Sequence, residues 1–158
     1  MRNLPRYKEC FVCGKNNPIG LNITFKTDGK IVFVNLKLKK EYCGFKNRIH
    51  GGILSTIIDE AMGWACSVKT KRLYYTIELN IKFKKAALPN EQLIVEAEFI
   101  KEKHYICASK GIIKNAKGDI LIIASGKYYP IEESEEKSIF AMLHHEPEDN
   151  KPVTKEDL

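Results

Sequence analysis

The sequence predicts an α+β domain in which one long helix packs against an antiparallel sheet. Residues 51–68 repeat apolar side chains at helical spacing, several later segments alternate apolar and polar residues, and short turns connect those segments. With 158 residues, the chain is long enough for one domain with a real core.

About five or six strands are expected, most of them after the helix. A short strand near residues 21–26 precedes "KIVFVNLKLKK", in which Val32, Val34 and Leu36 share one face. In residues 74–83 strict alternation places Ile77 on the apolar face and Thr76 on the polar face. The segments "LIVEAEFIKEK", "HYICASKGIIK" and "ILIIASGKYYPI", separated by turns, complete an antiparallel meander.

The helix carries one apolar stripe and two diverging carboxylates. At about 100° per residue, Asp59 shares a flank with Ser55 and Met62, whereas Glu60 lies on the opposite flank beside Trp64. A pair of carboxylates sharing one proton is therefore not expected. The flank of Asp59 has small or soft neighbours, which suit a cleft. The stripe that faces the sheet consists of Leu54, Ile57, Ile58, Ala61, Ala65 and Val68.

The helix begins at His50, Gly51 and Gly52, an unusual start for stability alone. The first N–H groups of a helix lack intrahelical partners and carry the positive end of its dipole. Glycines there let a carbonyl or phosphate approach the backbone. Asp59 follows Gly51 by eight residues, roughly 12 Å along a helix. The two serve one reaction only if a second subunit brings its own helix alongside.

Composition divides the chain into residues 1–131, with a turn-rich loop at 10–23, and an acidic segment at 132–158. The acidic segment holds nine acidic residues and three lysines and so has a net charge of −6. Because the whole chain has a net charge of +6, residues 1–131 carry about +12. We expect a helix followed by a partly disordered tail there. The basic body favours an anionic partner, but only four of 26 basic residues are arginine, so nucleic-acid binding is not expected.

The cysteines predict free thiols and no metal site. Five cysteines, no export signal and no apolar run of membrane-spanning length indicate a cytoplasmic protein with reduced thiols. Cys10 and Cys13 form one CxxC pair, whereas a zinc site usually has four ligands. A turn with packed thiols is the expected role, and metal or redox use is the alternative.

Two motifs resemble those of a known family. "HGGILSTIIDEAMGWA" resembles the central helix of hot-dog-fold acyl-CoA thioesterases of the phenylacetate-degradation type, and "CFVCGKNNPIGL" is similar to the N-terminal segment of one branch. The resemblance covers roughly residues 10–131. It implies a hot-dog fold, in which a curved antiparallel sheet wraps a long helix. It also implies self-association as a homodimer or dimer of dimers, with active sites between subunits.

The resemblance also implies a role for each matching residue. The Gly51 N–H would polarise a thioester carbonyl, and Asp59 of the other subunit would act as general base or as nucleophile. Thr76 would help to place water, while His50 would support the loop or line the pocket. No cofactor beyond the coenzyme A of the substrate is implied. The expected substrate-binding residues are Gly52, Asn47, Ser55, Met62, Lys82 and Lys84.

Alternatives to an acyl-CoA thioesterase stay open. Some relatives have Asn or Gln six residues before the histidine, where this chain has Gly44. This departure leaves room for a domain that binds acyl-CoA without turning it over. A hydratase or dehydratase would need a catalytic histidine positioned with an acid, and His50 followed by two glycines is the wrong context for it.

Overall fold

The computed structural model describes residues 1–148 and 150–158. Among these residues no helix is both long and apolar enough to cross a membrane. The strands are β1 (Arg2–Asn3), β2 (Arg6–Tyr7), β3 (Lys26–Thr27), β4 (Ile31–Lys37), β5 (Cys43–Phe45), β6 (Arg48–Ile49), β7 (Tyr74–Phe83), β8 (Gln92–Lys103), β9 (Ile106–Asn115), β10 (Ile120–Pro130) and β11 (Leu143–His144). The α-helices are α1 (Gly51–Thr70) and α2 (Glu133–Met142).

The main sheet has seven strands in the order β1-β3-β4-β8-β9-β10-β7, with every neighbouring pair antiparallel. The predicted meander is β8, β9 and β10, and the strand expected near residues 21–26 starts only at Lys26. Two short antiparallel pairs lie outside this sheet: the hairpin of β5 and β6, and the pair of β2 and β11, which joins the two ends of the chain. The sheet ends at β1, which has two residues, and at β7, which has ten.

Helix α1 packs across the sheet and contacts β4, β7, β8, β9 and β10. The stripe predicted from its periodicity is buried throughout, and Ile57, Ile58 and Ala61 are fully inaccessible to solvent. The α+β prediction of one long helix on a large antiparallel sheet is therefore confirmed. Since burial of this apolar face stabilises the helix, the polar flanks are held at fixed positions relative to the strands.

Two of the five cysteines are not free thiols, contrary to the expectation from sequence. Cys66 on α1 and Cys107 on β9 form a disulfide, and neither residue is exposed. Their Cα atoms lie 6.1 Å apart, within the range that a disulfide bridges. The pairing joins residues 41 positions apart, a contact that only the packing of helix on sheet creates. Cys10, Cys13 and Cys43 are free.

The acidic C-terminal segment packs on the domain, which differs from the expected partly disordered tail. The predicted helix is α2, and its Glu136 accepts a hydrogen bond from the Leu73 N–H at 2.8 Å and pairs with Lys155 at 2.7 Å. Val153 and Leu158 are buried. These apolar and ionic anchors account for the order of the segment. Asp149, one of its acidic residues, lies outside the described residues.

Candidate functional site

The start of α1 presents one backbone N–H group. His50 is the N-cap, and its Nδ1 accepts a hydrogen bond from the Gly52 N–H at 2.9 Å. The N–H groups of Ile53 and Leu54 donate to the His50 carbonyl. Within the described chain the Gly51 N–H therefore remains without a partner, at the positive end of the helix dipole. His50 acts here as a helix cap, a role closer to the expected support of the loop than to a base.

A cleft of about 560 Å³ opens in front of Gly51. A Cβ atom on Gly51 would lie 3.3 Å from the Phe83 ring, so glycine keeps the approach to the N–H narrow but open. Arg48, Lys84 and Lys85 supply positive charge, with Lys85 paired to Asp119 at 2.6 Å. The cleft therefore suits an anionic or carbonyl group. Its lining is Gly44, Phe45, Arg48, Ile49, His50, Gly51, Leu54, Phe83, Lys84, Lys85, Ala86 and Ala87.

Asp59 lies in a second cleft, where two hydroxyl groups hold its carboxylate. The Thr76 hydroxyl donates to both carboxylate oxygens, at 3.0 and 3.1 Å, and the Tyr128 hydroxyl donates to Oδ1 at 3.0 Å. Burial raises the pKa of Asp59 above its ordinary value, while the two hydroxyl hydrogen bonds act to lower it. Burial also raises the pKa of Tyr128, which therefore stays a donor. The result is a half-buried carboxylate with fixed orientation.

A β-bulge aims Thr76 at Asp59. The register of β7 on β10 shifts between Lys127 and Tyr128, so that Lys127 pairs with Glu78 and Tyr128 with Thr76. Thr76 contacts α1 through Asp59, and Phe83, seven residues later, contacts α1 at Gly51. Strict alternation would place these two residues on opposite faces. The prediction that Thr76 points away from the apolar face was therefore wrong, and the extra residue at Ile77 is the reason.

The cleft of Asp59 measures about 240 Å³ and continues towards the CxxC loop. Glu60 accepts a hydrogen bond from Trp64 Nε1 at 3.2 Å, and burial raises its pKa to about 7. The hydrogen bond between Cys10 and Cys13 lowers the pKa of Cys10 to about 6 and, together with burial, raises the pKa of Cys13. Besides these groups the lining is Tyr7, Asp59, Gly63, Ser67, Leu73, Tyr74, Thr76, Tyr128, Ile131, Ile139 and Leu143. Asp59 and Glu60 thus line one cleft, although their side chains diverge.

Four of the expected substrate-binding residues lie elsewhere. Met62 is fully buried in the core, because the helix turns that flank towards β9, where its carbonyl accepts a hydrogen bond from Ser109. The Ser55 hydroxyl bonds back to the Gly51 carbonyl at 2.8 Å. Asn47 occupies the exposed turn between β5 and β6 with φ 58°, a conformation that asparagine tolerates. Lys82 is exposed on β7 and lines neither cleft.

The remaining expected residues divide between the two clefts. His50, Gly51 and Lys84 line the first, where Gly52 completes the N-cap, and Asp59 and Thr76 line the second. Tyr128, which sequence reasoning missed, is the second donor to Asp59. The one hint in the sequence is that Tyr128 is a large aromatic residue on a strand of the sheet that packs against α1.

Gly44, the departure from the family pattern, has a local cause. A Cβ atom at this position would lie 2.7 Å from Cδ2 of His50. A side chain at position 44 would therefore displace the imidazole that caps α1. In this chain the His50 ring occupies the space that a side chain at position 44 would need.

Comparisons with known proteins agree with this architecture. The family described as "Thioesterase superfamily" matches residues 46–120, which run from the β5–β6 turn through α1 to the start of β10. A "Putative esterase" of Archaeoglobus fulgidus is 30% identical over 100 residues, covering 63% of this chain and 64% of that protein. A 3-hydroxyacyl-[acyl-carrier-protein] dehydratase, FabZ, of Vibrio vulnificus is 43% identical over 56 residues, 35% of this chain and 37% of that protein.

Solved structures share the fold at low sequence identity. A crystallised thioesterase superfamily protein has a TM-score of 0.71 at 20% identity, and the match covers 77% of this chain and 63% of that protein. A "Hypothetical Thioesterase Protein with Coenzyme A" of Streptococcus pneumoniae has a TM-score of 0.63 at 21% identity, covering 67% and 82%. The E. coli PaaI protein of the phenylacetic acid degradation operon has a TM-score of 0.62 at 17% identity, and the match covers 68% of this chain and 78% of PaaI.

These matches bear out the recognition made from the two sequence motifs, and the fold is a hot-dog fold. The chain spans just under two thirds of the Archaeoglobus protein and of the first of these structures.

The cap at His50 generates a stability prediction. Replacing the imidazole by a methyl group in His50→Ala removes the acceptor for the Gly52 N–H, so the free energy of unfolding should fall by about 0.5–2 kcal/mol. His50→Asn supplies another good N-cap acceptor and should retain most of that stability. Urea denaturation followed by circular dichroism measures both variants. Equal losses in the two would contradict the cap assignment.

Proposed function

Because residues 46–120 match the thioesterase superfamily and the fold is a hot-dog fold, we propose that the chain hydrolyses an acyl-CoA to the free acid and coenzyme A. The observation that carries the proposal is Asp59, a half-buried carboxylate held by the hydroxyls of Thr76 and Tyr128 within an open cleft. Such a group is oriented to take a proton from water or to attack a carbonyl itself. Two crystal structures of the pneumococcal thioesterase carry a substitution by alanine, one of a threonine and one of an aspartate. Thr76 and Asp59 are residues of these two types.

The proposed reaction divides the work between the two clefts. The Gly51 N–H would donate to the thioester oxygen and stabilise the negative charge that develops there. Asp59 would take a proton from water as the water oxygen bonds to the carbonyl carbon. The C–S bond would then break, and the thiolate of coenzyme A would leave and take up the proton from Asp59 or from solvent. In the alternative route Asp59 attacks first, and water then cleaves the resulting anhydride. Arg48 and Lys84, at the first cleft, suit the phosphates of coenzyme A.

The two clefts lie at opposite ends of β7, and we infer that a second copy unites them. Strand β7 is the long edge of the sheet, and it exposes Tyr75, Ile77, Leu79 and Phe83. An edge of this kind favours pairing with another strand. If two copies pair antiparallel along β7, the Thr76 end of one strand lies beside the Phe83 end of its partner. Asp59 of one protomer would then approach Gly51 of the other.

A dehydratase is the second candidate, because the Vibrio FabZ shares 43% identity over 56 residues. The geometry gives it less support. Nδ1 of His50 already accepts the Gly52 N–H as the helix cap, so that nitrogen is not available to take a proton from a substrate. Hydration of crotonyl-CoA by the purified protein, without release of thiol, would favour this candidate over hydrolysis. Binding of acyl-CoA without either reaction would favour a non-catalytic domain.

Removal of the Asp59 charge should abolish hydrolysis. In Asp59→Asn the cleft keeps its shape but loses its base or nucleophile, and kcat should fall about a hundredfold or more. The matched control is Glu98→Gln, which alters an exposed carboxylate paired with Lys110. The assay is thiol release over acyl-CoAs from acetyl to palmitoyl, with phenylacetyl and benzoyl included. Full activity of a folded Asp59→Asn protein would refute the role of Asp59.

Removal of a single N–H group tests the other cleft. Proline is tolerated at the first helical position, and His50, at φ −61° and ψ 133°, already has a conformation that precedes proline well. Gly51→Pro should therefore keep α1 while lowering kcat by about 10²–10³. Gly51→Ala, which adds a methyl group but keeps the N–H, should lose far less. Similar losses in both variants would mean that crowding against Phe83, and not the lost donor, controls the rate.

A further inference from the structure

We propose that Cys10, Cys13 and Glu60 bind a zinc ion, with one coordination position open to the Asp59 cleft. The three side chains line that cleft together, and their ligand atoms all lie within 4.8 Å of one another. The site does not depend on the proposed thioester hydrolysis. It would be a separate property of the same cleft.

The CxxC loop is built to present two sulfur atoms. Sγ of Cys10 accepts hydrogen bonds from the N–H groups of Val12 and Cys13, at 3.3 and 3.4 Å. The Gly14 N–H donates to the Cys10 carbonyl at 2.9 Å, and a Cβ atom on Gly14 would lie 2.2 Å from that oxygen. The turn can therefore close only with glycine at this position. Backbone N–H groups aimed at a sulfur favour the thiolate, which is the form that binds metals.

The third ligand comes from the helix. Oε1 of Glu60 lies 3.9 Å from Sγ of Cys10. Zinc–sulfur bonds of about 2.3 Å and zinc–oxygen bonds of about 2.0–2.2 Å place tetrahedral ligand atoms roughly 3.5–3.8 Å apart. The distance between Cys10 and Glu60 is close to that geometry, and with all three ligand atoms within 4.8 Å of one another, binding would draw the three side chains together. Glu60 is 47 positions from Cys13, which is why the sequence appears to offer too few ligands.

Support around the ligands fits a metal centre. Nε1 of Trp64 donates to Glu60 Oε1 at 3.2 Å and so fixes the carboxylate from outside, as the outer partners of metal ligands do. Among the ion pairs between described residues, none involves Glu60 or Asp59. A partly buried carboxylate beside two cysteine sulfurs gains from a compensating positive charge. A divalent cation supplies that charge.

Three protein ligands and one open position are the composition of a zinc site that keeps room for water. The other cysteines cannot complete a four-sulfur site, because Cys66 is in a disulfide and Cys43 lies on β5 in a separate hairpin. Two thiolates and one carboxylate favour zinc over magnesium or calcium, which take oxygen ligands.

Cobalt(II) is the probe for this site. The full chain is kept free of oxygen, freed of metal by a chelator under conditions that leave the Cys66–Cys107 disulfide intact, and titrated with Co²⁺ while its absorption is recorded. We expect one Co²⁺ per chain, a thiolate-to-cobalt charge-transfer band in the ultraviolet and the visible bands of four-coordinate cobalt. One equivalent of Zn²⁺ should remove them. A folded, reduced protein without a thiolate band would overturn the proposal.

Variants assign the ligands. Cys10→Ser and Cys13→Ser should abolish the charge-transfer band. Glu60→Gln should weaken Co²⁺ binding at least tenfold, because the loss of a residue that only hydrogen-bonds to a metal ligand already weakens binding by about tenfold or more. Cys43→Ser is the matched control and should bind as the wild type does. Circular dichroism checks that each variant is folded. If a cysteine variant does not fold, Glu60→Gln decides the matter. Unchanged binding in folded Cys10→Ser or Glu60→Gln, or loss of binding in Cys43→Ser, would overturn the assignment.

Discussion

Burial of α1 against the sheet is the constraint on which the rest of the structure depends. The apolar stripe of the helix leaves no freedom to slide or rotate, so Gly51 and Asp59 stay eight residues apart on a rigid element. That separation, roughly 12 Å along the axis, is too long for one carbonyl to meet both groups. The same packing brings Phe83 to the start of the helix and Thr76 to Asp59. Two separate clefts on one chain are the consequence.

Each cleft contains a polar group that the fold leaves incompletely satisfied. Among the described residues the Gly51 N–H has no acceptor, whereas the three following N–H groups bond to His50. The half-buried Asp59 carboxylate receives hydrogen bonds from Thr76 and Tyr128, and no ion pair between described residues includes it. A free donor at one end of β7 and an oriented anion at the other are the groups that acyl transfer requires. An enzyme that joins them between subunits would keep each group apart from the other until assembly.

Periodicity predicted the helix stripe, the meander and the site residues nearest the motif, because these depend on local spacing. It could not predict features created by contacts between distant segments. The bulge at Ile77 reverses the alternation of β7 and turns Thr76 towards α1. The disulfide of Cys66 and Cys107 and the approach of Glu60 to Cys10 likewise follow from tertiary packing. Met62 shows the converse, since a flank that suits a cleft on a helical wheel is covered by β9.

The central claim is that Gly51 and Asp59 act together across two subunits. Chains carrying Gly51→Pro and Asp59→Asn, each with a different affinity tag, can be co-expressed and the mixed oligomer isolated with both tags. In a two-fold dimer one site of the mixed species keeps both residues, so it should recover about half of the wild-type activity per dimer. Activity as low as that of the parent variants, in a folded mixed dimer, would show that the two groups do not combine between subunits and would contradict the account.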